Sequence, residues 1–182
     1  FTGPVSLAGN VTVTTTSGSA GGANISFSST INGGKNLTLN AGTGGNVTVG
    51  GAVGGSTPVG AVLVSSAKDL TLAAVKATSL AQTTGTGATT LTGAVTTTGV
   101  GGVSLVNTVI TVNQPITTGD YGVSTPSGGG VTLNATAGEL AIAVGATITA
   151  DLAVSLTGSN GIRAGGNIFS NAVPVSLLSK VN

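Results

Sequence analysis

Apolar and polar positions alternate along this chain in short bursts. Leu37-Thr38-Leu39 and Val47-Thr48-Val49 set the pattern: apolar, small hydroxyl, apolar. The same triplet recurs at Val5-Ser6-Leu7, Val11-Thr12-Val13, Ile25-Ser26-Phe27, Leu70-Thr71-Leu72, Val103-Ser104-Leu105, Ile110-Thr111-Val112, Val131-Thr132-Leu133, Val154-Ser155-Leu156 and Val175-Ser176-Leu177. Looser versions stand at Val62-Leu63-Val64, Thr90-Leu91-Thr92, Leu140-Ala141-Ile142 and Thr147-Ile148-Thr149. A period of two puts both apolar side chains on one face of a strand and the middle residue on the other. Val, Ile and Thr favour strands, and the Gly, Asn and Ser between the triplets favour turns. The best helix candidate, Glu139 to Ala153, alternates instead of showing a helical period.

Spacing separates the all-β folds. Apolar starting points stand at residues 5, 25, 47, 70 and 91, and again at 131, 154 and 175. A coil of about 21 residues with two or three short strands therefore repeats along the chain. Propeller blades are longer and carry periodic aromatic motifs, and an immunoglobulin-like sandwich wants a bulky aromatic core. The pattern predicts a parallel β-helix, a β-solenoid of about eight or nine coils and about 40 Å in length. Residues 1–182 read as a single solenoid domain. The stretch 119–130, GDYGVSTPSGGG, breaks the rhythm and reads as a loop insertion. Outward Thr and Ser are expected to stack in ladders, and Asn at the corners to form similar ladders of side-chain amides.

Composition sharpens this picture. Only 5% of residues are charged, against roughly 25% in an average soluble domain. The chain holds 32 Gly and 31 Thr, with three Phe, one Tyr and no Trp. Moderate hydrophobicity with a net charge of +1 argues against disorder. No run approaches the roughly 20 apolar residues of a membrane span, so no membrane insertion is expected. Near-zero net charge leaves no footprint for nucleic acid. Without Cys or His there is no disulfide, no thiolate metal site and no imidazole base, and no cofactor is expected. The chain begins Phe1-Thr2-Gly3-Pro4 and lacks Met altogether, which reads as a processed product or a piece of something longer.

The runs FSSTINGGKNLTLNAGTGGNVTVGGAVGGSTPVG and TTLTGAVTTTGVGGVSL resemble the repeats of large secreted bacterial surface proteins. These are the filamentous-haemagglutinin-like and β-strand-repeat adhesins. The resemblance covers nearly the whole chain. It implies a right-handed parallel β-helix, export to the cell surface or extracellular space, and a structural, adhesive or matrix role.

Chemistry-bearing residues are sparse. Asp69, Asp120, Glu139 and Asp151 face Lys35, Lys68, Lys76, Arg163 and Lys180 as the full charge inventory. Parallel β-helices also house carbohydrate-active enzymes, which need converging carboxylates. That alternative rests on Asp120, Glu139, Asp151 and Arg163 meeting on one face. An ice-binding solenoid is a further alternative. It needs two flat ranks of Thr, for which Thr12/Thr14, Thr14/Thr16, Thr90/Thr92, Thr96/Thr98 and Thr147/Thr149 are the candidates. Five Asn-x-Ser/Thr sequons, at Asn10, Asn24, Asn36, Asn46 and Asn134, are largely produced by the repeat itself.

The ends carry the functional expectation. Val5 and Leu7 stand near one terminus, Val175 and Leu177 near the other, with no capping helix or Lys-rich edge beyond. Open coils expose unpaired strand edges. They are expected to associate with copies of this chain, head to tail, or with flanking coils of the same chain. Head-to-tail contacts do not close and so grow into filaments. Surface glycans or host and neighbouring cell surfaces are the further partners this reading allows.

Overall fold

The computed structural model describes residues 1–119, 127–171 and 174–179. It is all-β, with no helix among the described residues, and its strands stack as a parallel β-solenoid of about eight coils with a spacing of about 22 residues.

The first coil holds β1 (Val5–Ser6), β2 (Val11–Thr14) and β3 (Ile25–Phe27), and the second β4 (Ile31–Asn32), β5 (Leu37–Asn40) and β6 (Val47–Val49). The third has a bridge at Val53, then β7 (Val59–Ser66) and β8 (Leu70–Leu72). In the fourth, β9 (Val75–Gln82) bends across two faces before β10 (Ala88–Leu91). The fifth holds β11 (Val95–Thr97), β12 (Val103–Asn107) and β13 (Val109–Val112). The sixth holds β14 (Ile116–Thr118), β15 (Val131–Ala135) and β16 (Leu140–Ile142). The seventh holds β17 (Ile148–Ala150), β18 (Val154–Gly158) and β19 (Ile162–Ala164). The eighth adds β20 (Ile168–Ser170) and β21 (Val175–Ser179).

Each coil visits three faces in turn, and every face is a parallel ladder. The first face runs β1, β4, Val53, the start of β9, β11, β14, β17 and β20. The second runs β2, β5, β7, the end of β9, β12, β15, β18 and β21. The third runs β3, β6, β8, β10, β13, β16 and β19. Apart from a shift between Leu39 and Asn40 where β5 pairs β7, register is kept from coil to coil, so similar residue types stack in columns. On the third face Val49, Leu72, Leu91 and Val112 form one such column. On the second, Leu105, Leu133, Leu156 and Leu177 form another.

The triplets explain the core. Val47, Leu70, Leu105, Ile110, Leu133 and Leu156 are fully buried, while the middle residue of each of their triplets turns outward. A strand of three residues has no stability alone. Its backbone groups pair only with the coils above and below, and its two apolar side chains find a core only in the stack.

The corners are held differently from the expected amide ladders. Asn10 Oδ1 accepts from Asn36 N at 3.0 Å, and Asn36 Oδ1 from Ala61 N at 2.9 Å. Asn24 Oδ1 accepts from Asn46 N at 2.9 Å, Asn46 Oδ1 from Asp69 N at 3.3 Å, and Asp69 Oδ1 from Ala88 N at 2.9 Å. At these five places a backbone N–H at or near the start of a strand points back at the preceding coil, and the side-chain oxygen there satisfies it. These Asn residues bond backbone, not one another, and a carboxylate replaces the amide at Asp69 without breaking the series.

Candidate functional site

The stack ends in two different ways. At the amino-terminal end, Phe1 lies on β3. Its amine donates to Ser26 O at 2.7 Å, and its carbonyl accepts from Ser28 N at 3.0 Å. That is how a parallel rung pairs with Phe27. The two rings stack with centroids 4.6 Å apart and planes 5° apart. Phe1 thus extends the third-face ladder by one residue and covers Phe27, which is buried. Beside it, Val5, Val11 and Val13 are half-buried.

At the other end, β21 pairs with β18 along its whole length, in register from Val154↔Val175 to Gly158↔Ser179. Val175 is 38% and Leu177 56% exposed, although Val154 and Leu156 directly beneath them are completely buried. The exposure comes from position in the stack, not from residue type. Phe169 and Leu178 are exposed on the same coil, on the outward rows. A shallow hollow of about 150 Å³ lies beside Leu178, lined by Thr157, Gly158, Ser159, Leu178 and Ser179.

The four end residues anticipated from sequence do not form matching patches. Val175 and Leu177 stand together on the second face, but Val5 and Leu7 belong to the first. Leu7 is 5% exposed, and its N–H bonds Asn32 O at 2.7 Å. In a stack built on the internal register, Val175 and Leu177 meet Val11 and Val13, and Val5 meets Ile168. Val11, Val13 and Ile168 share these columns, which become visible only when triplets are aligned by face.

The charged residues are dispersed. Glu139 Oε1 and Arg163 Nε form an exposed pair at 3.0 Å across neighbouring third-face coils. Asp151 is completely buried at the corner after β17. Its Oδ2 accepts from Ser127 N at 2.7 Å and Gly128 N at 2.8 Å, and its Oδ1 from Asn171 Nδ2 at 3.2 Å. Glu139 and Arg163 therefore meet each other, and Asp151 serves backbone elsewhere. Asp120 lies outside the described residues, as does most of the 119–130 stretch. No group of three or more His, Cys, Asp or Glu among the described residues is placed to hold a metal ion.

The two ends of that stretch are pinched together. Gly119 has φ +60°, and a Cβ on Gly128 would fall 2.3 Å from Gly119 Cα. Only glycine fits on either side of such a neck. Thr118 Oγ1 closes it by donating to Gly129 O while accepting from Asp151 N.

A second polar cluster is sealed between the second and third faces. Thr89 Oγ1 donates to Gln82 Oε1 at 2.5 Å and accepts from Asn107 Nδ2 at 3.0 Å. Gln82 Nε2 has no hydrogen-bond partner among the described residues.

Outward hydroxyls form single files. Ser26, Thr48, Thr71, Thr90 and Thr111 stand in register on the third face. The row two residues on reads Ser28, Gly50, Ala73, Thr92 and Asn113, so a second rank of Thr is not assembled there.

Comparison with protein-family models, curated proteins and solved structures gives no match. The architecture is that of a β-helix repeat protein, and the functional reading rests on the molecule itself.

Proposed function

We propose that this chain is a rigid rod segment of a secreted bacterial surface protein, structural or adhesive in role, of the filamentous-haemagglutinin-like and β-strand-repeat kind. The seating of Phe1 on β3 carries the reading. A single residue laid on the end ladder adopts rung geometry, buries its neighbour's ring and finds backbone partners on both sides. Any further coil that presents the same columns meets the same template, from the same chain or from a second copy. The opposite end supports this: Val175 and Leu177 continue columns that are otherwise sealed.

Such a rod works through length and stiffness. Backbone pairing in three ladders resists bending, and the low charge leaves few repulsive contacts along the lateral faces. Glycans or neighbouring cell surfaces are the lateral partners of an adhesive role, outside the cell.

Electron microscopy of the purified chain at neutral pH tests the end contact. Eight rungs at about 4.8 Å give an expected axial repeat of about 40 Å in filaments. Leu177→Asp, which sets an unpaired charge into the contact, should leave short rods. Monodisperse short rods from the unsubstituted chain at high concentration would sink self-stacking and leave chain continuation as the surviving form of the reading.

A further inference from the structure

The chain contains two Asn-Gly pairs, Asn32-Gly33 and Asn160-Gly161. Asn-Gly is the pair most prone to spontaneous rearrangement, since glycine's hydrogen leaves the following backbone nitrogen free to reach the Asn side chain. The two glycines share nearly the same φ, +113° at Gly33 and +114° at Gly161. Asn32 closes strand β4, whereas Asn160 sits in a turn, and their surroundings differ as well.

Asn32 is locked. Its Oδ1 accepts from Ser56 N at 3.0 Å and Thr57 N at 3.3 Å, in the next coil. Gly33 N donates to Thr57 O at 3.3 Å. A Cβ on Gly33 would lie 2.6 Å from Leu7 O, so the coil on the other side packs against it too. Turning the Asn32 side chain toward Gly33 N means unpairing two coils.

Asn160 is open. It is exposed, and its side chain has no hydrogen-bond partner among the described residues. A Cβ on Gly161 would meet nothing within 4 Å. Gly161 N donates only to Gly158 O at 3.1 Å, a local turn that opens without breaking a rung.

We infer that Asn160 is a site of spontaneous succinimide formation in the folded rod, and that Asn32 is protected. Gly161 N loses its proton and attacks Asn160 Cγ, forming the ring N–C bond. The Cγ–Nδ2 bond breaks, and ammonia leaves with that proton. Water then opens the ring at either carbonyl, giving aspartate or isoaspartate. One water enters and one ammonia departs, with no redox partner. The new carboxylate stands at the corner feeding β19, two residues from Ile162 and on the coil that carries Arg163. Isoaspartate also adds a backbone methylene, just before the Gly161 O that accepts from Leu140 N at 3.1 Å. The last third-face rung then loses register. This inference stands whether or not the chain is part of a surface rod.

The test is prolonged incubation of the folded chain at mildly alkaline pH, followed by tryptic peptide mapping. Lys35 and Arg163 place the two sites in separate peptides. The amide-to-acid mass gain should accumulate in the Asn160 peptide about tenfold faster than in the Asn32 peptide or more, as expected when one site opens locally and the other only with its coils. Fragmentation should place isoaspartate at residue 160, and Asn160→Gln should abolish it. In denaturant the two peptides should react at similar rates, which shows that the protection comes from the fold. Equal rates in the folded chain, or no reaction at Asn160 while the denatured chain reacts at both sites, would overturn the inference.

Discussion

Thr97 and Thr118 stand one directly above the other, in register on the inward row of the first face, both fully buried. Their hydroxyls have opposite fates. Thr118 Oγ1 links Gly129 O and Asp151 N, while Thr97 Oγ1 has no partner among the described residues. An unsatisfied buried hydroxyl destabilises, and removing it is favourable, whereas removing a satisfied one strands its partners. Thr97→Val should therefore raise stability by about 1 kcal/mol, and Thr118→Val should lower it by about 1–3 kcal/mol. Urea unfolding, read as opposite movements of the midpoint at unchanged slope, checks the pair.

The corner ladder makes a chemical prediction. Asp69 acts through an acceptor oxygen toward Ala88 N, a role that an amide oxygen fills equally in Asn24 and Asn46. Asp69→Asn should change stability by less than about 0.5 kcal/mol. Asp69→Ala should destabilise by about 1 kcal/mol, with faster amide exchange at Ala88 as the local signature.

Asp151 is a different case, because its carboxylate is sealed from water. Ser127 N and Gly128 N have it as their acceptor beside the Gly119–Gly128 neck. Asp151→Ala removes the acceptor of the buried Gly128 N and of Ser127 N and should destabilise by about 2–4 kcal/mol. Hydrogen exchange at Gly128 and Gly129 should accelerate well before exchange in β5 or β6 does. A uniform acceleration along the chain would instead mean that the rod unfolds as one unit.

Leu156 and Leu177 occupy adjacent places in one column, so they share a side chain and differ in cover. Leu156→Ala should destabilise by about 2–5 kcal/mol, through lost burial and a cavity. Leu177→Ala in the monomeric rod should alter stability by less than about 1 kcal/mol. If a further coil caps the end, the two values should converge, so thermal unfolding across a concentration series also reports on end association.

The Glu139–Arg163 pair should matter least. Its side chains are 42% and 69% exposed, and exposed pairs are worth at most about 1 kcal/mol. Arg163→Ala should shift thermal unfolding only slightly, and that shift should vanish in high salt.

Much of this architecture was legible because two faces repeat the same signal. Second-face and third-face strands place two large apolar residues in alternation, as in Leu37-Thr38-Leu39, and the alternation survives inspection by eye. The first face was largely invisible. In β9, β11, β14 and β20 one large inward residue is followed by Ala77, Thr97, Thr118 or Ser170, because the second inward position sits at a narrow corner. A strand written Ile-Thr-Thr looks like a polar linker until its neighbours are stacked on it. The end coils hid their columns for the same reason: only alignment by face shows that Val11 and Val13 stand in the row of Val175 and Leu177. The buried role of Asp151 left no trace in sequence, since a lone acid near a Gly-rich stretch reads as a solvated charge.

In-register stacking also bears on how such a chain changes over generations. Val47 meets Leu70 as Leu70 meets Thr89, through the same ladder and the same inward column. Copying or excising one coil of about 22 residues rejoins equivalent columns and alters the molecule's length by one strand spacing, about 4.8 Å. A change in coil number would therefore alter the molecule's length in single-rung steps while each face keeps its character.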